Sequence, residues 1–261
     1  MIARFGLLAL AAVLLGTTGC LHEPLVSGQL PSDTDQAVAT ASQEVEITSG
    51  GQTYPAYFVA PKQAGRTPAV VLLHSINGLD PGYVTLSDRL AARGYAVLAL
   101  KWQTFERIPH DDVVMQLALD GLQFLAAQPT VDAERVGLTG FCIGGRYTML
   151  LLPQIAAFKS GVAWYGFPYR GGDENQVRTP AEVLDQLSAP MLILHGSADQ
   201  PSPIADIYRY ATELDEAGKY FELKVYQGQP HSFMLDQGQM SQSFPAQDAF
   251  EQMATFFDRT L

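Results

Sequence analysis

Residues 136 to 145 read Val-Gly-Leu-Thr-Gly-Phe-Cys-Ile-Gly-Gly. Val136 to Thr139 make a short apolar run that suits a buried strand, and Gly140, Gly144 and Gly145 then surround a single cysteine, Cys142. The order predicts a strand, a sharp turn and the start of a helix. A nucleophile at the apex of such a turn needs almost no side chain two positions to either side, because strand and helix approach closely there. Gly140 and Gly144 meet that need. A thiol at a helix N-terminus also faces the positive end of the helix dipole, which favours the thiolate. The same residues fit a buried cysteine beside a glycine packing contact, so the rest of the chain has to decide between the two.

Working outward, apolar runs and amphipathic stretches alternate. Glu44 to Thr48 and Thr53 to Val59 read as two opening strands joined in a hairpin about Ser49-Gly50-Gly51. Ala69 to Leu73, Tyr95 to Leu100, Gly161 to Tyr165, Met191 to Leu194 and Phe221 to Tyr226 read as further strands. Between and after them, Val84 to Arg93, Asp111 to Gln128, Ile204 to Ala217 and Ala246 to Arg259 fit helices, the second with Val114, Leu117, Leu122 and Leu125 on its inner face. Strands alternating with helices of this length imply an α/β fold, a mostly parallel central sheet with helices on both faces. In such a sheet functional groups collect beyond the carboxyl ends of the strands. The loops to search therefore follow Leu73, Thr139, Leu194 and Tyr226.

Two of those loops carry the partners a nucleophile needs. After Leu194 comes His195-Gly196-Ser197-Ala198-Asp199, and after Tyr226 comes Gln227-Gly228-Gln229-Pro230-His231-Ser232-Phe233. Singly, an aspartate after Gly-Ser-Ala is a common turn former and a lone histidine a common surface residue. Together, Cys142, Asp199 and His231 give nucleophile, acid and base in chain order, each just past a strand. His231 would take the thiol proton and later protonate the leaving group, and Asp199 would fix its tautomer. The oxyanion would be held by the backbone N–H of Ile143, directly after the nucleophile, and by that of Ile76 in the loop after Leu73. His195 reads as a packed, hydrogen-bonded loop residue, and no spacing among His22, His74 and His110 suggests a metal site. No cofactor is required.

Composition is that of a globular chain: 261 residues, 47% hydrophobic and 16% charged, enough for one sizeable core. Asp and Glu outnumber Lys and Arg 27 to 16, a net charge of -11, which excludes nucleic acid as the main partner. Residues 1–19 hold one early charge, Arg4, an apolar core from Phe5 to Leu15 and small residues up to Gly19, the order of a secretory signal. Thr18-Gly19-Cys20 resembles the end of a bacterial lipoprotein lipobox, with Thr17 departing from the usual leucine. On that resemblance Cys20 is lipidated, residues 20–43 form a tether and residues 44–261 the folded domain, exported and held at the bacterial cell envelope by the lipid anchor alone. An ordinary signal peptide cut nearby is the alternative. Cys20 and Cys142 are the only cysteines, so lipidation of the first leaves no intramolecular disulfide.

Taken together, Gly140-Phe141-Cys142-Ile143-Gly144-Gly145, the Gly196-Ser197-Ala198-Asp199 turn and His231-Ser232-Phe233 resemble the dienelactone hydrolase family, the carboxymethylenebutenolidases, from about Glu44 onward. That resemblance implies an α/β-hydrolase fold and cleavage of an ester, lactone or thioester through an acyl-cysteine. Two positions depart from the family. Its dienelactone-cleaving members carry a glutamate after the early strand that helps generate the thiolate, where this chain has Ser75, and an arginine four residues after the histidine, where it has Leu235. These departures point to a neutral or apolar ester or lactone. Arg107 and Arg170 are the candidate replacements for the arginine, and each also reads as a solvated surface charge. Trp164, Tyr165, Phe167 and Tyr169 are placed to wall a pocket above Cys142, and Gly171 to Arg178 reads as a loop or part of a small lid. Acyl transfer to an alcohol or amine would use the same three residues, and a non-catalytic envelope binding protein on this fold is the alternative outside enzymes.

Overall fold

The computed structural model describes Met1 and residues 38–261. The signal-like segment beyond Met1, the lipidation candidate Cys20 and the first part of the tether lie outside the described residues. The chain opens with β1 (Thr40–Ser49) and β2 (Gln52–Pro61), paired antiparallel about Gly50 and Gly51. Both glycines have positive φ, 56° and 78°, the left-handed pair that a two-residue hairpin turn demands. β1 starts at Thr40, four residues before the strand start expected at Glu44. The physical reason is its place at the sheet edge. Residues 41–44 are all exposed, so no apolar alternation marks them as a strand.

The remaining main strands are β3 (Thr67–Leu73), β4 (Ala96–Leu100), β5 (Val131–Phe141), β6 (Phe158–Trp164), β7 (Met191–Gly196) and β8 (Phe221–Tyr226). They form an eight-stranded sheet in the order β1-β2-β4-β3-β5-β6-β7-β8. β2 joins β4 antiparallel, and every pair from β4 to β8 is parallel. The helices are α1 (Pro81–Ala92), α2 (Asp111–Ala126), α3 (Ile143–Leu151), α4 (Ile204–Glu216) and α5 (Phe244–Thr260). This is the α/β-hydrolase architecture that the sequence predicts.

Adjacent residues of β5 show how the layers are arranged. The Thr139 hydroxyl reaches the Met253 sulfur of α5 at 3.7 Å, whereas a Cβ on Gly140 would press on Thr148 of α3. Side chains alternate across a strand, so α5 and α3 cover opposite faces. α1 joins α5 through Arg89 to Gln247 (2.7 Å) and Arg93 to Glu251 (2.8 Å). α2 joins α3 through Arg146 to Asp111 (2.7 Å). The core between them holds fully buried Val70, Leu72, Leu98, Leu138, Val162 and Ile193, the run of aliphatic residues expected where a parallel sheet is covered on both sides. Among the described residues no helix is long and apolar enough to cross a membrane.

Two small elements escape sequence pattern. A 3₁₀ helix (Pro180–Gln186) follows the aromatic loop, and a hairpin of β9 (Leu235–Asp236) and β10 (Gln239–Met240) follows the His231 loop. The hairpin docks on the start of α1, where the Gly82 N–H donates to the Gly238 carbonyl at 2.8 Å. A Cβ on Gly82 would collide with Leu235. Leu235 therefore packs against α1.

Register brings the four loops together. Leu73 pairs with Gly140 and Gly196 with Tyr226, so β3, β5, β7 and β8 end along one edge of the sheet. Ser197 N–H donates to Tyr226 carbonyl (3.0 Å) and Ala198 N–H to Gln229 carbonyl (3.0 Å), which ties the Asp199 loop to the His231 loop.

Candidate active site

Cys142 sits between β5 and α3 with φ 59° and ψ −114°, a conformation that costs a non-glycine residue about 1–3 kcal/mol. The surrounding backbone holds it there. Its N–H donates to the Trp164 carbonyl (3.1 Å), and its carbonyl accepts from the Arg146 N–H (2.9 Å). A Cβ on Gly140 would collide with the Gly144 carbonyl, and one on Gly144 with the carbonyls of Leu73 and His74. Strand and helix thus meet only because both residues are glycine. Cys142 is a free cysteine, buried with 6% of its surface exposed.

His231 stands on the loop after β8. Its Nδ1 lies 2.7 Å from Asp199 Oδ2; a carboxylate accepts, so Nδ1 carries the proton and Nε2 is left as the base. Nε2 is buried and, among the described residues, makes no hydrogen bond of good geometry, with Cys142 as its neighbour. Burial pushes the imidazole down, but the hydrogen bond to Asp199, the approach of the Cys142 sulfur and the charges of both outweigh it and raise His231 to about 9. Tyr165 and Phe167 flank the ring, their centroids 5.0 and 5.4 Å away.

Asp199 is itself fixed. Its Oδ1 accepts from the Ser202 N–H at 2.8 Å, and the Ser202 hydroxyl donates to the Gly166 carbonyl at 2.6 Å, linking the acid loop to the aromatic loop after β6. His195 lies behind Asp199, fully buried at the end of β7, and donates from Nε2 to the Ser202 carbonyl (2.9 Å). Burial lowers its imidazole below the ordinary histidine value despite that bond and the nearby carboxylate. It is the packed, hydrogen-bonded residue the sequence suggested, in a strand end instead of a loop.

In the loop after β3, Asn77 N–H donates to Ser75 Oγ (3.2 Å) and Gly78 N–H to the Ser75 carbonyl (3.2 Å). Gln103 Nε2 donates to the Ile76 carbonyl at 2.9 Å. Among the described residues the Ile76 N–H has no protein acceptor, and the Ile143 N–H, at the first position of α3, has none within the helix. His74 stacks on Trp102 (5.0 Å), and burial lowers it to about 4. His110 caps α2 by accepting from Asp112 N–H. His22 lies outside the described residues.

The four aromatics expected above Cys142 divide. Trp164 is core, stacked on Phe141 and donating from its indole N–H to Thr139 (3.2 Å). Tyr165 and Phe167 do border the site. Tyr169 turns to α4, donating to Glu213 (2.8 Å), and helps line a cleft of about 330 Å³ with Phe167, Arg170, Pro201, Ser202 and Asp206. Arg170 is exposed, held to Gln176 (2.7 Å) with its guanidinium 5.5 Å from the Phe167 ring centre, and Arg107 is exposed too. The loop 171–178 is strapped down by Arg146, which binds Asp111 in bidentate fashion and donates to the carbonyls of Arg170 (2.9 Å) and Arg178 (2.6 Å). Sequence reasoning missed Tyr83, whose ring packs on Phe141 (4.7 Å) beneath the nucleophile, because a tyrosine in a helix carries no motif.

Residues 54–261 match the model of the dienelactone hydrolase family. A protein of Methylorubrum extorquens that carries a provisional carboxymethylenebutenolidase name is 30% identical over 264 residues, covering 94% of this chain and 90% of its own length. The carboxymethylenebutenolidase of Rhodococcus opacus is 27% identical, covering 82% of this chain and 89% of its own. A crystal structure from Klebsiella pneumoniae, provisionally titled a dienelactone hydrolase, superposes with a TM-score of 0.77 at 28% identity, covering 85% of this chain and 99% of that one.

Proposed function

The chain belongs to the dienelactone hydrolase family, and from that premise we propose that it cleaves a small ester, lactone or thioester through an acyl-Cys142 intermediate. The observation that carries this reading is the 2.7 Å bond from His231 to Asp199, which leaves Nε2 facing a thiol at a strained strand-to-helix turn. His231 takes the thiol proton, and the sulfur attacks the carbonyl carbon. The carbonyl oxygen gains the charge and is held by the N–H groups of Ile143 and Ile76, an arrangement supported by the lack, among the described residues, of an acceptor for the Ile76 N–H. The intermediate collapses, the alcohol or thiol leaves with the proton from His231, and Cys142 remains acylated. Water then gives a proton to His231 and attacks the thioester. Collapse releases the acid and regenerates the thiolate and imidazolium pair.

A neutral or apolar substrate fits this chain. Leu235 packs against α1 and offers no charge, and Ser75 offers a hydroxyl, not a carboxylate, on the loop after β3. The test is hydrolysis of p-nitrophenyl esters and simple lactones by the purified protein beside Cys142→Ala and His231→Ala. Activity lost in both supports the reading; activity kept in Cys142→Ala overturns it. We also propose that the domain is exported and anchored at the bacterial cell envelope through lipidated Cys20, a reading supported by the residues 1–20 alone. Labelled palmitate incorporated by the wild type and not by Cys20→Ala is the expected result, and equal labelling would contradict it.

A further inference from the structure

His74 has no part in the reaction described above, yet it is buried to 1% exposure directly after β3. Burial lowers it to about 4, so the ring is neutral near pH 7. A neutral imidazole carries one proton, and here its position can be read. Nδ1 lies 2.7 Å from the Ser75 carbonyl oxygen, and a carbonyl only accepts, so Nδ1 carries the hydrogen. The ring is held in that orientation. It stacks on Trp102 with 5.0 Å between centroids, and the Trp102 indole N–H donates to the His74 carbonyl at 3.1 Å.

The Ser75 carbonyl and the Ile76 N–H belong to one planar peptide, and in the trans form they point in opposite directions. Holding the carbonyl therefore aims the N–H. Two donors hold it, His74 Nδ1 and the Gly78 N–H at 3.2 Å, and on the far side the Ile76 N–H has no acceptor among the described residues. Donors to a carbonyl also polarise its peptide, which strengthens the N–H of the same group. The next peptide is fixed as well. Gln103 Nε2 donates to the Ile76 carbonyl at 2.9 Å and to the Arg107 carbonyl at 2.7 Å. Two carbonyls can only accept, so the amide nitrogen and not its oxygen faces them. The peptides on either side of Ile76 are thus gripped by one side chain from the end of β3 and one from the loop after β4. This loop also abuts the helix of the nucleophile, since a Cβ on Gly144 would strike the carbonyls of Leu73 and His74.

We propose that His74 and Gln103 are positioning residues of the oxyanion site: they clamp the two peptides that flank Ile76 and hold its N–H toward the oxygen that gains charge. Neither side chain touches substrate or exchanges a proton. This inference rests on Cys142 being the nucleophile and on Ile76 being an oxyanion donor. A misaimed donor weakens only the state in which the oxygen is charged. The loss therefore falls on kcat, while KM and the reactivity of the thiol itself stay as they were.

The experiment compares His74→Phe, His74→Asn and Gln103→Met with the unsubstituted site, all in the full chain carrying Cys20→Ser so that one thiol is read. Phe keeps a ring against Trp102 and removes the donor, whereas Asn returns an N–H near the position of Nδ1. Hydrolysis of one p-nitrophenyl ester is measured beside alkylation of Cys142 by iodoacetamide, a displacement at saturated carbon that develops no oxyanion. Removing a whole oxyanion donor costs about 10²–10³ in kcat, so misdirecting one predicts a fall of about tenfold or more in His74→Phe and in Gln103→Met. KM and the alkylation rate are expected to hold at the wild-type level, and His74→Asn to recover most of the loss. Wild-type kcat in the Phe and Met variants would overturn the proposal. So would an alkylation rate that falls in parallel with hydrolysis, or an Asn variant as slow as Phe. Should His74→Phe fail to fold, Gln103→Met, at a half-buried position, decides by the same two readouts. Hydrolysis retained in Cys142→Ala overturns the proposed function and the clamp with it, a result distinct from hydrolysis retained in the clamp variants alone.

Discussion

Replacing Asp199 by Asn removes one charge and leaves the shape almost unchanged. In the native site Oδ1 accepts from Ser202 N–H and Oδ2 from His231 Nδ1, both within 2.8 Å. An amide has one acceptor oxygen. If that oxygen keeps Ser202, the amide NH₂ faces His231, and Nδ1 must become an acceptor, moving the ring proton to Nε2. The base is then blocked on the side that faces Cys142. A charge-assisted hydrogen bond of about 1.5–3 kcal/mol is also lost, and burial is left to pull the imidazole down from its value of about 9. Removal of general-base function predicts a fall in kcat/KM of about 10²–10⁴ for the best p-nitrophenyl ester. The sign of the pH effect follows. Because the folded state raises His231, its protonated form contributes stability that is complete below about 6.5 and is lost as pH rises through about 9. Asp199→Asn should flatten that slope in urea denaturation measured between pH 6 and pH 9.5. A variant within threefold of wild-type kcat/KM, with the slope retained, would refute the assignment of Asp199 as the residue that orients and charges His231.

Other perturbations test the frame that holds the site. Gly144→Ala places a Cβ against the carbonyls of Leu73 and His74, which are backbone and cannot yield cheaply. It should cost about 3 kcal/mol or more and abolish hydrolysis, as read by urea denaturation and by the ester assay; a variant of wild-type stability would contradict the close approach. Arg146→Met strands the buried Asp111 carboxylate and frees the carbonyls of Arg170 and Arg178. It should destabilise by about 3–5 kcal/mol, and adding Asp111→Leu should restore part of that; no recovery in the double variant would place the loss elsewhere.

The legible parts of the sequence were those whose cause is local. Gly140 and Gly144 are required by contact between a strand and the helix that immediately follows it, and the run of apolar strands requires a covered parallel sheet, so both could be read from spacing. Asp199 and His231 were legible because chain order and strand ends place them, and the 2.7 Å bond joins two loops 32 residues apart. What escaped depends on distant partners. Leu235 is apolar because Gly82, far earlier in the chain, leaves room for it, and the β9–β10 hairpin is too short to show a period. Loop 171–178 is held by Arg146, which reads as an ordinary helix charge until Asp111 is seen opposite it. Positive φ at Tyr165 and Ser232 carries no local signature either, since neither residue is glycine and tertiary packing imposes the conformation. Those residues border the thiol and the imidazole.

The most direct measurement is intact-protein mass spectrometry after acid quench during turnover of the best p-nitrophenyl ester, followed by peptide mapping. The expected result is a mass gain equal to the acyl group, located on Cys142, absent from Cys142→Ala and absent once the substrate is exhausted. Steady hydrolysis by wild type with no adduct at Cys142, or an adduct on another residue, would contradict a cysteine nucleophile at this turn.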